Sequence, residues 1–161
     1  MNKLIKEIEG AKFVGVWRFT IRDAKTGVVK RVHEFKNLIP TAGRSKMAEA
    51  LSGGLVAIAD IEINKTSLGT GTTAAANGDT ILETEVFRKD VASATFSSNQ
   101  LFLTAFYTAV EVTGTFSEAG LHINGTASPD TGTLFSRVIL FPAVVKSSSE
   151  TLTVDYTVNI N

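Results

Sequence analysis

Apolar and polar residues alternate along most of the chain with a period of two, the pattern of β-strands that bury one face. The alternation is strictest near the end, where every second residue of 151–160 is apolar, namely Leu152, Val154, Tyr156, Val158 and Ile160. Residues 12–21 follow the same rule, with Trp17 and Phe19 on the apolar side and Arg18 opposite. Both segments are therefore predicted to be strands that bury one face.

Further strand-like segments are separated by residues that favour turns. Lys25, Thr26 and Gly27 predict the loop of a hairpin between the first strand and the extended segment that follows it. The remaining predicted strands cover residues 58–64, 83–91, 93–97, 100–110, 117–123 and 133–141. About nine strands are expected in total.

One internal stretch, residues 41–54, has helical signals. Thr41 is a candidate N-cap, Met47 and Leu51 fall on one face, and Gly53-Gly54 predicts the end of the helix. Nearly all other elements are short strands, and an α/β sheet would need a helix between most of them. The predicted fold is all-β: an antiparallel β-sandwich of the Greek-key or jelly-roll type with one short helix.

The chain has 161 residues, which suits one domain, and we assign residues 12–161 to it. Residues 1–11 are predicted to form an N-terminal arm. Leu4, Ile5 and Ile8 make a small apolar stripe there, followed by Gly10 as a hinge. Two readings remain open: a frayed first turn, or an arm that docks on a neighbouring subunit.

Charge and cysteine content narrow the function classes. Sixteen basic and sixteen acidic residues give zero net charge, so we expect neither nucleic acid nor a membrane as partner. The absence of cysteine removes disulfides and thiolate chemistry. Glu7 and Glu9 interrupt the position where a signal peptide has its apolar core, so synthesis in the cytoplasm is expected.

The stretch SLGTGTTAAANGDT, residues 67–80, raises the question of a phosphate site. Gly69, Gly71 and Ala74 match the loose dinucleotide fingerprint, but that mechanism needs a helix that begins at the loop. Here Asn77-Gly78-Asp79 predicts a turn instead. The loop is therefore predicted to change the chain direction and to bind no nucleotide.

Candidate catalytic and metal-binding residues lack supporting partners. Ser117 lies on the opposite strand face from Glu118 and His122, which excludes a triad among them. Neither His33 nor His122 has a second histidine nearby, as zinc would require. Asp60, Glu62 and Asn64 resemble the start of a calcium loop without its glycine and closing glutamate, so a solvated strand face is predicted.

Glu83 and Glu85 have the spacing of paired carboxylates on an extended strand. Arg88 and Lys89 follow closely, which favours an exposed charged edge over a pair that hydrolyses glycosides. We expect no catalysis, no cofactor and no metal.

The aromatic residues Trp17, Tyr107 and Tyr156 raise the alternative of a carbohydrate-binding module that recognises host surface glycans. Trp17 and Tyr156 occupy apolar strand faces, so core packing is the favoured reading for both.

An ordered set of segments resembles a group of small virion proteins of tailed bacteriophages. The likeness spans about residues 37–160. It is carried by NLIPTAGR at 37–44, SLGTGTT at 67–73, GDTILETEVFR at 78–88, SEAGL at 117–121, LFSR at 134–137 and KSSSETLTV at 146–154.

The resemblance implies a β-rich, non-enzymatic surface component of the particle, either tail- or fibre-associated or capsid-decorating. It also implies assembly as a homo-oligomer, with a trimer as the first expectation, and other virion proteins as partners. Leu4, Ile5 and Ile8 are predicted interface residues. Glu85, Arg88 and Arg137 are the others, with each arginine expected to pair with Glu85 or Glu118.

Overall fold

The computed structural model describes residues 13–54, 57 and 60–160, which form nine strands and one helix. The predicted arm residues Leu4, Ile5 and Ile8 lie outside this part of the chain. The elements are β1 (Phe13–Asp23), β2 (Val29–Lys36), α1 (Thr41–Leu51), β3 (Ile63–Gly69), β4 (Glu85–Asp90), β5 (Ser93–Ser97), β6 (Gln100–Tyr107), β7 (Gly114–Ile123), β8 (Thr133–Lys146) and β9 (Glu150–Ile160).

The strands form two antiparallel sheets that pack face to face. The first sheet has the order β2-β1-β9-β6-β5, and the second has the order β4-β3-β7-β8. The chain leaves the first sheet after β6, makes the β7–β8 hairpin in the second, and returns as β9 beside β6. This return is a Greek-key connection across the sandwich, and it confirms the predicted all-β sandwich with one short helix.

Large aromatic residues fill the space between the sheets. Trp17, Phe19 and Tyr156 are buried, and the Trp17 and Tyr156 rings lie 5.0 Å apart between centroids. The polar groups of the buried rings are hydrogen-bonded. Trp17 Nε1–H donates to Ser136 Oγ over 3.2 Å, and the hydroxyl of Tyr107, another core ring, donates to Thr66 Oγ1 over 3.4 Å. The alternation in β1 and β9 therefore identified the core face correctly.

Several predicted boundaries are wrong. The strand predicted at 58–64 begins only at Ile63 and continues to Gly69, so the first three residues of the glycine-rich stretch are strand and not loop. Asp60 and Glu62 precede this strand, so they do not form the predicted strand face. The N-cap of α1 is Pro40, without a side-chain capping bond, and Thr41 is already helical.

The helix packs on β8 through Gly43, where an added Cβ would lie 2.8 Å from the Phe135 carbonyl oxygen. Glycine is required there because any side chain would meet the β8 backbone. In the described residues, no helix has the length and apolar character needed to cross a membrane.

Candidate functional site

Residues 70–84, which we name the strap, connect β3 to β4 and cover part of the outer face of the β4-β3-β7-β8 sheet, above Glu118 and Gly120. Leu82 anchors the strap: it is buried, and its Cδ1 occupies the place where a Cβ on Gly120 would stand. The missing side chain at Gly120 therefore makes the space for Leu82. Around Glu118 and Gly120 the second sheet is consequently covered on both faces, by the first sheet and by the strap.

Glu118 on β7 holds the strap from below. Its carboxylate is fully buried and accepts backbone N–H bonds from Gly71 at 3.1 Å, Glu83 at 3.1 Å and Thr84 at 2.7 Å. One carboxylate thus joins the beginning of the strap to its end. Gly69 and Gly71 approach it closely, since a Cβ added to either residue would collide with Glu118 Oε1.

Arg137 on β8 supplies the positive charge next to Glu118. Its Nε–H donates to Glu118 Oε2 over 3.0 Å, and its Nη1 donates to Asp79 over 2.7 Å. Nη2 also donates to the Thr73 carbonyl oxygen over 3.2 Å. Burial alone would lower the pKa of Arg137, but the bonds to Asp79 and Glu118 outweigh it and raise that pKa. The side chain stays charged and ties two strap residues to the sheet.

The backbone amides of the glycine-rich stretch bind carboxylates of this same chain. Thr72 and Thr73 donate their N–H groups to Glu83 Oε2 over 2.8 and 2.7 Å, and the Thr73 hydroxyl donates to Glu83 Oε1. The Thr73 amide and hydroxyl bonds lower the pKa of Glu83. Together with the Gly71 amide on Glu118, these bonds occupy the donors that a phosphate would use.

Asp79 fixes the turn inside the strap, as its sequence position predicts. Its carboxylate accepts the Ala76 N–H over 2.8 Å. Although burial raises the pKa of Asp79, the bonds from Ala76 and Arg137 reverse the effect and lower it. The ionised form is therefore the form that closes the turn.

A β-bulge brings Glu85 and Arg88 together on the same outer face. Leu68 pairs with Phe87 but Gly69 pairs with Glu85, so Val86 is the extra residue. Arg88 then donates to Glu85 through Nε at 2.6 Å and Nη2 at 2.7 Å, a bidentate pair with both side chains 2% exposed. The remaining nitrogen, Nη1, donates to the Thr131 carbonyl oxygen over 2.7 Å.

Ser67 and His122 form a buried contact that sequence reasoning missed. The Ser67 hydroxyl lies 2.7 Å from His122 Nε2, and Glu85 Oε2 approaches the same nitrogen to 3.9 Å. In a catalytic triad the serine and the carboxylate bind opposite ring nitrogens. This geometry therefore differs from a triad, and Ser67 is fully buried. Burial, followed by the nearby Arg88 charge, lowers the pKa of His122 to about 3.

Searches of family models, curated proteins and solved structures find no match to this chain.

The charged residues that the sequence analysis singled out lie close together in the structure. Their pairing was predicted correctly, but the exposure of one of them was not. The pairs Arg88–Glu85 and Arg137–Glu118 are confirmed. The exposed charged edge predicted for Glu83 and Glu85 is wrong for Glu85, because its side chain pairs with Arg88 and is only 2% exposed. Arg137 is 3% exposed and bonded within its own chain. The interface role of Glu85, Arg88 and Arg137 stays a prediction, and all three side chains are bonded within their own chain.

A second feature of the molecule is an apolar groove of ≈ 390 Å³ at the end of the sandwich where α1 meets the two sheets. Phe13 and Ile160, which pair across β1 and β9, form one wall. Met47 and Leu51 of α1 form another, and Leu51 is 89% exposed. An apolar concavity with an exposed leucine at its side offers a surface for apolar groups of another protein or of a small molecule.

The aromatic residues considered as carbohydrate platforms do not reach the surface. Trp17, Tyr107 and Tyr156 are all buried in the core. The core reading of Trp17 and Tyr156 is confirmed, and Tyr107 is buried as well, so a glycan site would have to use other side chains.

Proposed function

We propose that this chain is a non-enzymatic structural protein of a bacteriophage particle, a surface component that acts by assembling as a homo-oligomer onto other virion proteins. The observation that carries the proposal is the apolar groove beside the exposed Leu51. Side chains of the types used in catalysis, such as Glu118, Arg137 and His122, are buried and bonded within the chain: Glu118 and Arg137 hold the strap, and His122 contacts Ser67. Surface contact is therefore the function that the described residues favour.

The segments that resemble phage virion proteins support the proposal through the fold. Their polar residues converge on one place, the strap and the sheet face beneath it: Asp79, Glu83, Glu85, Arg88, Glu118 and Arg137. A buried network of this kind specifies how a loop closes on a sheet. In this chain the motif residues fix the strap on the sheet, and a strap fixed in this way gives a rigid surface for assembly.

Carbohydrate binding remains the alternative, but its proposed platforms are buried. A glycan array probed with the purified protein separates the two functions. Binding to one class of glycan, with no retention of the protein on particles, would favour the alternative.

The direct test uses purified particles of the phage that encodes the chain. We expect quantitative mass spectrometry to find the chain at a fixed number of copies per particle. Its presence in infected cells together with its absence from purified particles would contradict the proposal.

The groove itself is tested by Leu51→Asp. Burying a leucine is worth about 1.5–3 kcal/mol, so particle binding should weaken roughly 10- to 100-fold. The matched control is Val110→Asp, another exposed apolar residue that lies outside the groove lining. Equal effects of both substitutions would show that the groove plays no special part.

The N-terminal arm is tested separately. Deleting residues 1–10 removes the stripe of Leu4, Ile5 and Ile8. If the arm clasps a neighbouring subunit, the truncated protein will attach to particles more weakly than the full chain. Undiminished attachment would eliminate the clasp and leave the groove as the candidate surface.

A further inference from the structure

The two sheets present four edge strands, and three of them carry features that prevent pairing with another chain. β2 has the charged side chains of Lys30 and Arg31 within the strand. β4 is rich in charged residues and contains the bulge at Val86. β8 contains Pro142, has two shifts of register, and is bridged on its free side by Leu38.

The fourth edge, β5, has none of these protections. Its sequence SATFS holds no charge and no proline, and its register with β6 runs without a shift. All five residues are exposed, and Phe96 is 83% exposed. The surrounding run, residues 91–110, contains no charged residue, although one residue in five of the whole chain is charged. In the described part of the chain, only β6 pairs with β5.

We propose that β5 is a self-association edge, which pairs antiparallel with β5 of a second copy in a register centred on Thr95. The two first sheets would then join into one continuous sheet across a twofold axis. This inference goes beyond the proposed function, because it concerns the free protein in solution and stands or falls without the particle.

The backbone of β5 fits this register. Ser97 and Gln100 close a two-residue turn, and in such hairpins the closing pair exchanges both of its hydrogen bonds. The N–H and C=O groups of Thr95 therefore point to β6, whereas those of Ala94 and Phe96 point outward. When Thr95 lies opposite its copy, Ala94 of each strand lies opposite Phe96 of the other, and four N–H···O bonds form.

The side chains fit the same register. The small Ala94 lies next to the large Phe96 of the second copy, and Ser93 lies opposite Ser97. Two threonines face each other at the centre, a favourable cross-strand pair.

The lack of charge on β5 indicates that the strand which pairs with it belongs to a second copy of this chain. An uncharged edge meets its own copy without repulsion, whereas copies of β2 would bring lysine and arginine side chains together. An antiparallel edge is also self-complementary, as a twofold interface requires. A pair of five-residue strands buries well below the roughly 1,200 Å² of stable interfaces, so the association should be weak and dependent on concentration. A trimer built through another surface would become a hexamer by this contact.

The absence of cysteine from the chain allows a clean cross-linking test. In the proposed register the two Thr95 Cα atoms form a non-hydrogen-bonded pair about 4.5 Å apart, within the range of disulfides. The two Ser97 Cα atoms would stand roughly 13 Å apart along the strands. Under mild oxidation, Thr95→Cys should therefore give disulfide-linked dimers at least tenfold faster than Ser97→Cys. Equal rates for the two variants would overturn the proposal.

A second measurement requires no oxidation. Sedimentation of the full chain over a series of concentrations should show reversible growth of mass to an even number of copies. Thr95→Lys should abolish that growth, and Val32→Lys, on the exposed edge strand at the other end of the same sheet, should preserve it. If the mass still grows with concentration in Thr95→Lys, or does not grow in the unchanged chain, β5 pairing is contradicted. Neither result affects the interpretation of the particle assay.

Discussion

Replacing Glu118 with glutamine tests the buried network at its centre. The amide side chain would keep the shape of the glutamate but lose the charge and one acceptor oxygen. Both carboxylate oxygens of Glu118 are in use: Oε1 accepts the Gly71 and Thr84 amides, and Oε2 accepts the Glu83 amide and Arg137. Whichever position the new NH2 group takes, it faces donors and leaves them without an acceptor.

The expected loss of unfolding free energy in Glu118→Gln follows from the burial of this site. Glu118 is fully buried and Arg137 is 3% exposed, so water cannot replace the lost bonds. Removing one partner of a buried ion pair costs about 3–5 kcal/mol. Asp79 still contacts Arg137 in the variant, which places the expected loss of unfolding free energy near the lower end, about 3 kcal/mol.

The assay is urea denaturation at pH 7, followed by fluorescence of the single, buried Trp17. The matched control is Glu34→Gln, which breaks the exposed Arg18–Glu34 pair and should cost less than about 1 kcal/mol. A loss below about 1 kcal/mol for Glu118→Gln, similar to that of the control, would refute the view that this carboxylate holds the strap.

Two further predictions concern stability. Burial lowers the pKa of His122 from 6.5 to about 3, so the unfolded chain takes up a proton near pH 6.5 while the folded chain does not. Unfolding free energy should therefore fall by about 2 kcal/mol between pH 7 and pH 5, and this loss should disappear in His122→Gln but persist in His33→Gln. Gly69→Ala would place a Cβ 2.5 Å from the Thr84 carbonyl oxygen and should cost about 1–3 kcal/mol by thermal denaturation. Gly78→Ala, with nothing within 4 Å of the new Cβ, should change stability by no more than about 0.5 kcal/mol.

Sequence patterning predicted the strands that have one buried and one exposed face. In β9 the apolar side faces the core and the polar side faces solvent, so the alternation of Leu152 and Val154 with threonine is directly visible. The same rule failed at β3, because polar residues are buried on both of its faces: Thr66 lies in the core beside Tyr107, and Ser67 lies on the outer face beside His122. A strand buried on both faces does not alternate, and polar residues that are hydrogen-bonded beneath a loop look like a loop in the sequence.

The sequence predicted which charged residues pair with each other, but it did not predict where these pairs lie in the fold. Arg137 and Glu118 lie 19 residues apart, and only the β7–β8 register makes them neighbours. The sequence also showed no sign of the bulge at Val86. A residue is recognised as extra only when the pairing with the neighbouring strand is known. One signal was present in the sequence: Gly69, Gly71 and Gly120 provide the space that Glu118 and Leu82 occupy.

Amide hydrogen exchange tests most directly the claim that the strap is closed onto the sheet by the chain's own carboxylates. The amides of Gly71 and Thr84 donate to Glu118, although both residues lie in a glycine-rich connection. We predict that they exchange as slowly as the amide of Leu121 in the middle of β7. Exchange of both amides as fast as that of the exposed turn residue Gly78 would contradict the account.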